Sequence, residues 1–194
     1  MELSNRVYRN TDNRLALRSA FGKSSSLPSI TLHKFWNKKV YLKLRQQIIH
    51  LSFTKEINLT THSFGRARVP AALLTMLNQT EIRTLISEVT STKITPVTWT
   101  AYRFSWKDYT ILHDHLQESA RMEFVFDFTE NWPEQAGGAI VYKRGSDDNF
   151  LISPQGNSLS IVQSGARVQK FIQYVNHYGK GKQRILVMGS IKLK

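Results

Sequence analysis

The sequence predicts an α+β fold in which helices come first and a sandwich or barrel of strands follows. Apolar residues recur at helical spacing only before Lys93. After that point, short runs rich in aromatic and β-branched residues alternate with Gly and Pro breaks. A hydrophobic fraction of 41% and an aromatic fraction of 11% are enough for a packed core in a chain of 194 residues. The length fits one domain, or one domain with a tail.

Positive charge is concentrated at both ends of the chain, which has a formal net charge of +13. Residues 1–45 hold ten Lys and Arg against two acidic residues, residues 165–194 hold seven and no acidic residue, and residues 46–164 have a net charge of −2. Basic ends of this kind bind nucleic acid or a ribonucleoprotein through phosphates, although charge that only solubilises the surface is an alternative. Partner contact is therefore expected at nine cations: Arg6, Arg9, Arg14, Arg18, Lys38, Lys39, Lys43, Lys180 and Lys182.

Residues 1–30 show little apolar periodicity and predict a flexible basic arm, which precedes a domain over residues 31–194. An Arg- and Ser-containing segment with few acids also resembles an organelle transit peptide, so import stays open beside an intracellular, cytoplasmic location. No apolar run reaches the roughly 18 residues of a membrane span. The absence of cysteine excludes disulfides and thiolate metal sites.

Three helices are predicted between the arm and the strands. Residues 37–51 form an amphipathic helix with a basic side, Pro70 opens a second helix, and Thr80 is expected to cap a third. Between the first two, residues 57–69 predict a short strand or hairpin that breaks at Gly65.

About eight strands are predicted after Lys93, separated by Gly-containing breaks at the short spacing of a sandwich or barrel. At the end of one run, His113 and His115 share a face, because side chains two apart on a strand point the same way. Such a pair suits a metal, and a polar strand end is the alternative. The sequence contains no GxxxxGK[ST], GxGxxG or HExxH motif.

The order of these features resembles the prolyl-hydroxylase-type branch of the 2-oxoglutarate and Fe(II)-dependent oxygenases. The matching segments span roughly residues 30–190 and are Tyr109-Thr-Ile-Leu-His113-Asp-His115, Trp132 to Gly138, Pro154 to Leu159, and Phe171-Ile-Gln-Tyr-Val175 followed by Arg184 and Gly189. The resemblance implies a double-stranded β-helix, of the jelly-roll or cupin-like kind, supported by N-terminal helices.

The resemblance also implies a site that holds Fe(II) with two His and one carboxylate and holds 2-oxoglutarate with a late cation. Residue by residue, His113 matches the first ligand and His115 the carboxylate. Lys170 stands where the distal His is expected, and Arg184 matches the cosubstrate clamp, with Tyr102 or Tyr109 beside it. An imidazole is an acceptable substitute ligand, but an ammonium offers iron no lone pair.

Three functions follow from this pattern. The first is an oxygenase-like protein whose iron site is compromised and whose basic ends bind RNA or another polyanion. The second is an active hydroxylase of a protein substrate that uses Fe(II) and 2-oxoglutarate. The third is a structural subunit of a larger assembly, because β-rolls host many functions.

Overall fold

The computed structural model describes residues 2–23, 27–111, 119–145, 148–165 and 167–193. The α-helices in this part of the chain are α1 (Thr11–Lys23), α2 (Lys38–Ile49), α3 (Ala71–Leu77) and α4 (Thr80–Thr90). Single 3-10 turns cover Arg6–Arg9, Glu134–Ala136 and His177–Gly179. The strands are β1 (Ser29–His33), β2 (Thr54–Asn58), β3 (His62–Arg68), β4 (Thr98–Phe104), β5 (Tyr109–Thr110), β6 (Arg121–Asp127), β7 (Ile140–Arg144), β8 (Asp148–Ile152), β9 (Ser158–Ser164), β10 (Val168–Ile172) and β11 (Arg184–Lys192).

The strands form one antiparallel sheet that rolls up into a nearly closed barrel. Their order is β1-β9-β6-β11-β4-β3-β5-β10-β7-β8, and β2 pairs with β3 beside this path. Eight of the described strands follow Lys93, as predicted. The α+β class and the double-stranded β-helix with supporting helices are therefore confirmed.

Alternation along the strands separates two hydrophobic cores. On β6, Phe124 and Phe126 belong to a large core that the sheet shares with the helices, whereas Val125 belongs to a smaller core inside the roll. Because successive strand side chains point to opposite faces, the odd-numbered residues of β6 face the interior of the roll. This interior is where the candidate site lies.

The N-terminal segment has more structure than its sequence predicts. Leu3, Tyr8 and Phe21 are buried, α1 packs against α4, and β1 pairs with β9. The carboxylate of Glu81 on α4 accepts hydrogen bonds from the backbone and hydroxyl of Ser4. A few separate anchors hold this segment, which is why it lacks a periodic apolar stripe. The described residues of this segment thus form helical and strand elements that pack on the rest of the chain. A flexible arm that ends at residue 30 stays a prediction.

Local details of the helices and the hairpin differ modestly from the predictions. The side-chain oxygen of Asn37 caps α2 by accepting from Lys39 N at 3.0 Å. Thr80 is the first residue of α4 rather than its cap, and Gln79 precedes it. Gly65 lies inside β3, where a Cβ would come within 3.3 Å of Phe53, so this glycine permits a close approach and makes no turn. No helix among the described residues has the length and apolar character that crossing a bilayer requires.

Candidate functional site

The interior face of β6 carries two carboxylates, Glu123 and Asp127, on either side of Val125. Both are buried, at 6% and 1% relative exposure. A buried carboxylate is costly unless a cation and hydrogen bonds compensate for the lost water. Each of these two acids has such a cation, and the two cations are Lys170 and Arg184.

Glu123 binds Lys170 across the roll. Lys170 Nζ lies 2.5 Å from Glu123 Oε2 and 5.1 Å from the centre of the Tyr142 ring. Tyr142 donates its hydroxyl to Glu123 Oε2 at 3.0 Å, and Ser164 donates to Oε1 at 2.7 Å. The position that the resemblance assigns to the distal iron ligand is thus occupied by one half of a hydrogen-bonded ion pair.

These contacts control the protonation of the cluster. Burial alone would raise the pKa of Glu123, but Lys170 and the hydrogen bonds from Lys170, Ser164 and Tyr142 outweigh it and lower the pKa to about 2. Burial acts to lower the pKa of Lys170, and attraction to Glu123 outweighs it and raises this pKa. Burial together with the Glu123 charge also raises the pKa of Tyr142. At neutral pH the cluster therefore holds a carboxylate, an ammonium and a neutral phenol.

Arg184 is fully buried at the start of β11 and contacts Asp127. Its Nη2 lies 3.2 Å from Asp127 Oδ2 and donates to Ile152 O at 3.1 Å, while Nη1 donates to Gly138 O. Burial lowers the pKa of Arg184 and Asp127 opposes this effect. Asp127 also accepts from the backbone N–H of Thr129 at 2.8 Å. The pairing of Asp127 with a neighbouring cation is the contact that its position in an apolar strand suggests.

A cavity of about 300 Å³ opens next to Lys170. Tyr102 lines it, together with His62, Phe64, Phe104, Thr110, Lys170, Ile172 and Met188, and Arg184 is not part of this lining. Tyr109 lines a separate concavity with Ile172 and donates its hydroxyl to Leu59 O at 2.8 Å. Lys170 and Tyr102 are therefore brought together, whereas Arg184 lies with Asp127. Cosubstrate binding by Arg184, Tyr102 or Tyr109 stays a prediction.

The two candidate iron ligands His113 and His115 lie outside the described residues. Within the described ranges, no cluster of three or more His, Asp or Glu side chains is arranged to hold a metal ion. A metal role for this pair stays a prediction.

The expected partner-binding cations lie in two groups. In the N-terminal group Arg6 and Arg18 are exposed, as are Lys38, Lys39 and Lys43 on α2, whereas Arg9 pairs with Glu2 and Arg14 with Glu88. Lys180 and Lys182 follow the 3-10 turn His177–Gly179 at another part of the chain and are exposed.

Sequence reasoning missed Glu123 as the partner of Lys170. An acid within the apolar run Met122 to Phe128 was the available signal, because an acid in such a run needs a buried cation. Trp106, in the loop between β4 and β5, is 38% exposed. The exposure of a loop aromatic depends on which loops meet around it, and the linear pattern does not contain that information.

Comparisons with known proteins identify the family of this chain and agree with its fold. A family model described as "Oxoglutarate and iron-dependent oxygenase degradation C-term" matches residues 58–194. The prolyl 3-hydroxylase OGFOD1 of Mus musculus is 31% identical over 77 residues, which are 37% of this chain and 14% of that protein. The chain thus spans about a seventh of the length of this relative.

Solved structures share the fold at low identity. A prolyl-4-hydroxylase from Pseudomonas putida matches with a TM-score of 0.69 and 11% identity, over 92% of this chain and 99% of its own. A prolyl hydroxylase from Trichoplax adhaerens, in complex with a hypoxia inducible factor oxygen degradation domain peptide fragment, matches with a TM-score of 0.72 and 13% identity, over 96% and 94%. The family model covers well over half of the chain. This chain therefore belongs to the family described as "Oxoglutarate and iron-dependent oxygenase degradation C-term".

Proposed function

We propose that this chain is an oxygenase-like domain that has lost iron chemistry and serves as a binding module for a polyanionic partner such as RNA or a ribonucleoprotein. The observation that carries the proposal is the Lys170–Glu123 ion pair inside the roll. An iron ligand must offer a lone pair, and an ammonium held by a carboxylate offers none. The described residues therefore do not fit a two-His, one-carboxylate iron site.

The surroundings of Arg184 support the same proposal for the cosubstrate. A guanidinium that clamps 2-oxoglutarate must reach a cavity and present uncompensated charge to the carboxylate of the ligand. Arg184 has no exposed surface, and its terminal nitrogens are bound by Asp127, Ile152 O and Gly138 O. In this proposal Arg184 stabilises the fold, and no chemical step is assigned to iron or 2-oxoglutarate.

Exposed cations provide the binding half of the proposal. Arg6, Arg18, Lys38, Lys39 and Lys43 are exposed in a segment with few acidic residues. Phosphates attract such cations without regard to base sequence, and released counterions supply much of the affinity. The Arg9 and Arg14 guanidiniums already have carboxylate partners and are expected to contribute less.

The experiment that tests this proposal adds Fe(II), or Mn(II) as a redox-inert substitute, with 2-oxoglutarate to the purified protein. Because a ligand that binds only the folded state must raise its stability, an intact site would increase the melting temperature. We expect no increase and no succinate formation. An increase in melting temperature, or formation of succinate, would overturn the loss of iron chemistry.

Arg184→Ala provides a second measurement within this experiment. We expect it to lower the free energy of unfolding by about 3–5 kcal/mol in urea titrations, because Asp127 would be left as a buried, unpaired charge. A variant that keeps wild-type stability but loses 2-oxoglutarate binding would instead establish Arg184 as the cosubstrate clamp.

A further inference from the structure

Trp106 lies on a surface formed by residues 105–108 and 173–183, which we call the platform. The loop between β4 and β5 contains Trp106, and a second segment leads from β10 through the 3-10 turn His177–Gly179 towards β11. Lys107 N donates to Val175 O and Val175 N donates to Asp108 O, both at 2.8 Å. This reciprocal pairing fixes the two segments against each other, so side chains on both are presented from one ordered surface.

Exposed aromatic rings and ammonium groups are mixed on this platform. Lys107 Nζ lies 4.4 Å and Lys180 Nζ 5.2 Å from the centre of the Trp106 ring. Tyr178 is 55% exposed, and the centre of its ring lies 4.1 Å from that of His177, with the two ring planes tilted by 35°. By contrast, Trp36 and Trp99 are at most 3% exposed and belong to the large core. The packing of the fold therefore does not account for the exposure of Trp106 and Tyr178.

The charge around these rings is positive. Lys107, Lys180 and Lys182 are exposed, and residues 174–184 contain no Asp or Glu. Asp108 is buried and bound to Lys55 and to the hydroxyl of Ser63. The 3-10 turn Glu134–Ala136 packs against His177–Gly179 and carries one acidic side chain, Glu134. The three lysines therefore leave a net positive charge around the rings.

We propose that Trp106, Lys107, Tyr178 and Lys180 form a binding site for single-stranded nucleic acid, with bases stacked on the two rings and phosphates held by the lysines. Proteins that bind single strands combine these two groups, because every base has a face that stacks and every nucleotide has a phosphate. An acidic peptide would use the lysines but has no need of two exposed aromatic faces. The inference names a site for the polyanion of the proposed function and rests on the binding half of that proposal.

The lysines above Trp106 do not block stacking. A cation–π contact at an exposed site contributes only about 0.5–1 kcal/mol, whereas a stacked base contributes about 1–3 kcal/mol. A base can therefore displace one ammonium from the ring, and that ammonium is then close to the phosphate of the same nucleotide.

The test measures the affinity of the full chain for a fluorescein-labelled 12-nucleotide oligo(U) by fluorescence anisotropy. Trp106→Ala is expected to weaken binding by about 5- to 150-fold, while Trp106→Phe, which keeps an aromatic face, retains most of the affinity. Lys180→Ala is expected to reduce the slope of log affinity against log salt by about 0.7. Lys93→Ala, an exposed lysine that follows α4, is the matched control and is expected to leave both quantities unchanged.

An abasic oligonucleotide of the same length separates stacking from charge, because it keeps the phosphates and lacks the bases. Weaker binding of the abasic strand, by a factor similar to that of Trp106→Ala, supports the site. Equal binding of the abasic strand, competition by a Glu-rich peptide as effective as that by oligo(U), or no binding of oligo(U) would overturn it. If Trp106→Ala and Tyr178→Ala bind oligo(U) like the unmutated protein while affinity still falls with salt, this site fails but polyanion binding stands.

Discussion

Glu123 and Asp127 lie on the same face of the same strand, but they bind different kinds of cation. Both project from β6 into the roll, and each meets a basic side chain from one of the last two strands. Lys170 retains 23% side-chain exposure beside a cavity, whereas Arg184 is fully enclosed. A compact ammonium with water nearby and a planar guanidinium that satisfies several acceptors are suited to these two environments.

The low pKa of Glu123 predicts a loss of stability in acid. Its carboxylate titrates at about 2 in the folded protein, below its ordinary value near 4.5. The contribution to folding is therefore complete above about pH 4.5 and disappears as the pH falls towards 2, a total of about 3 kcal/mol. Urea titrations between pH 6 and 2 measure it, and Glu123→Gln is expected to flatten this part of the pH profile.

Glu134→Gln is the matched control, because this exposed acid lies outside the cluster and is expected to leave the profile unchanged. A profile of Glu123→Gln that stays as steep as that of the unmutated protein would contradict the role of the ion pair.

At the scale of single elements, α1 is the helix that the sequence did not predict, whereas α2 and α4 were predicted. The helices α2 and α4 were predictable because their apolar residues recur on one face, as with Val40, Leu44 and Ile48 on α2. In α1 only Phe21 is buried, and Arg14 attaches the helix by its contact with Glu88 at 2.7 Å. A single anchor leaves no periodic pattern, so the helix is visible only in three dimensions.

Substitution of Phe21 tests whether α1 is packed. Phe21→Ala is expected to lower the free energy of unfolding by about 3–5 kcal/mol, because it would leave a cavity against the helices. Leu15→Ala on the same helix removes a side chain that is 57% exposed and is expected to change stability by less than about 0.5 kcal/mol. Equal effects of the two changes in urea titrations would contradict a packed α1.

For the whole molecule, the order of helices and strands could be predicted from the sequence, but the contacts between side chains inside the roll could not. Periodicity indicates which face of a strand is buried, and it identified the strands after Lys93. It does not say which strand lies opposite, so Glu123 and Lys170, 47 residues apart, could not be matched from the sequence. The same limit applies to Trp106, whose surroundings come from a loop about 70 residues further along the chain.

The uneven charge of the whole molecule predicts salt-dependent binding of RNA. Arg6→Gln combined with Arg18→Gln removes two exposed cations and is expected to reduce the slope of log affinity against log salt by about 1.4 for a single-stranded RNA. Arg9→Gln combined with Arg14→Gln removes the same charge from residues paired with Glu2 and Glu88, and a smaller change is expected. Anisotropy titrations between 50 and 200 mM salt measure these slopes. An affinity that does not change with salt concentration would contradict binding to a polyanion.

The two carboxylates of β6 also fix the register in which this central strand pairs with its neighbours. A shift by one residue would turn Glu123 and Asp127 towards the rings of Trp36 and Trp99, and it would leave Lys170 and Arg184 without counter-ions. A pairing of β6 with β9 and β11 that is displaced by one residue therefore carries the penalty of several unmatched charges in an apolar environment. A redesigned protein with apolar residues in place of both ion pairs is expected to be at least as stable, but its strands would pair in more than one register.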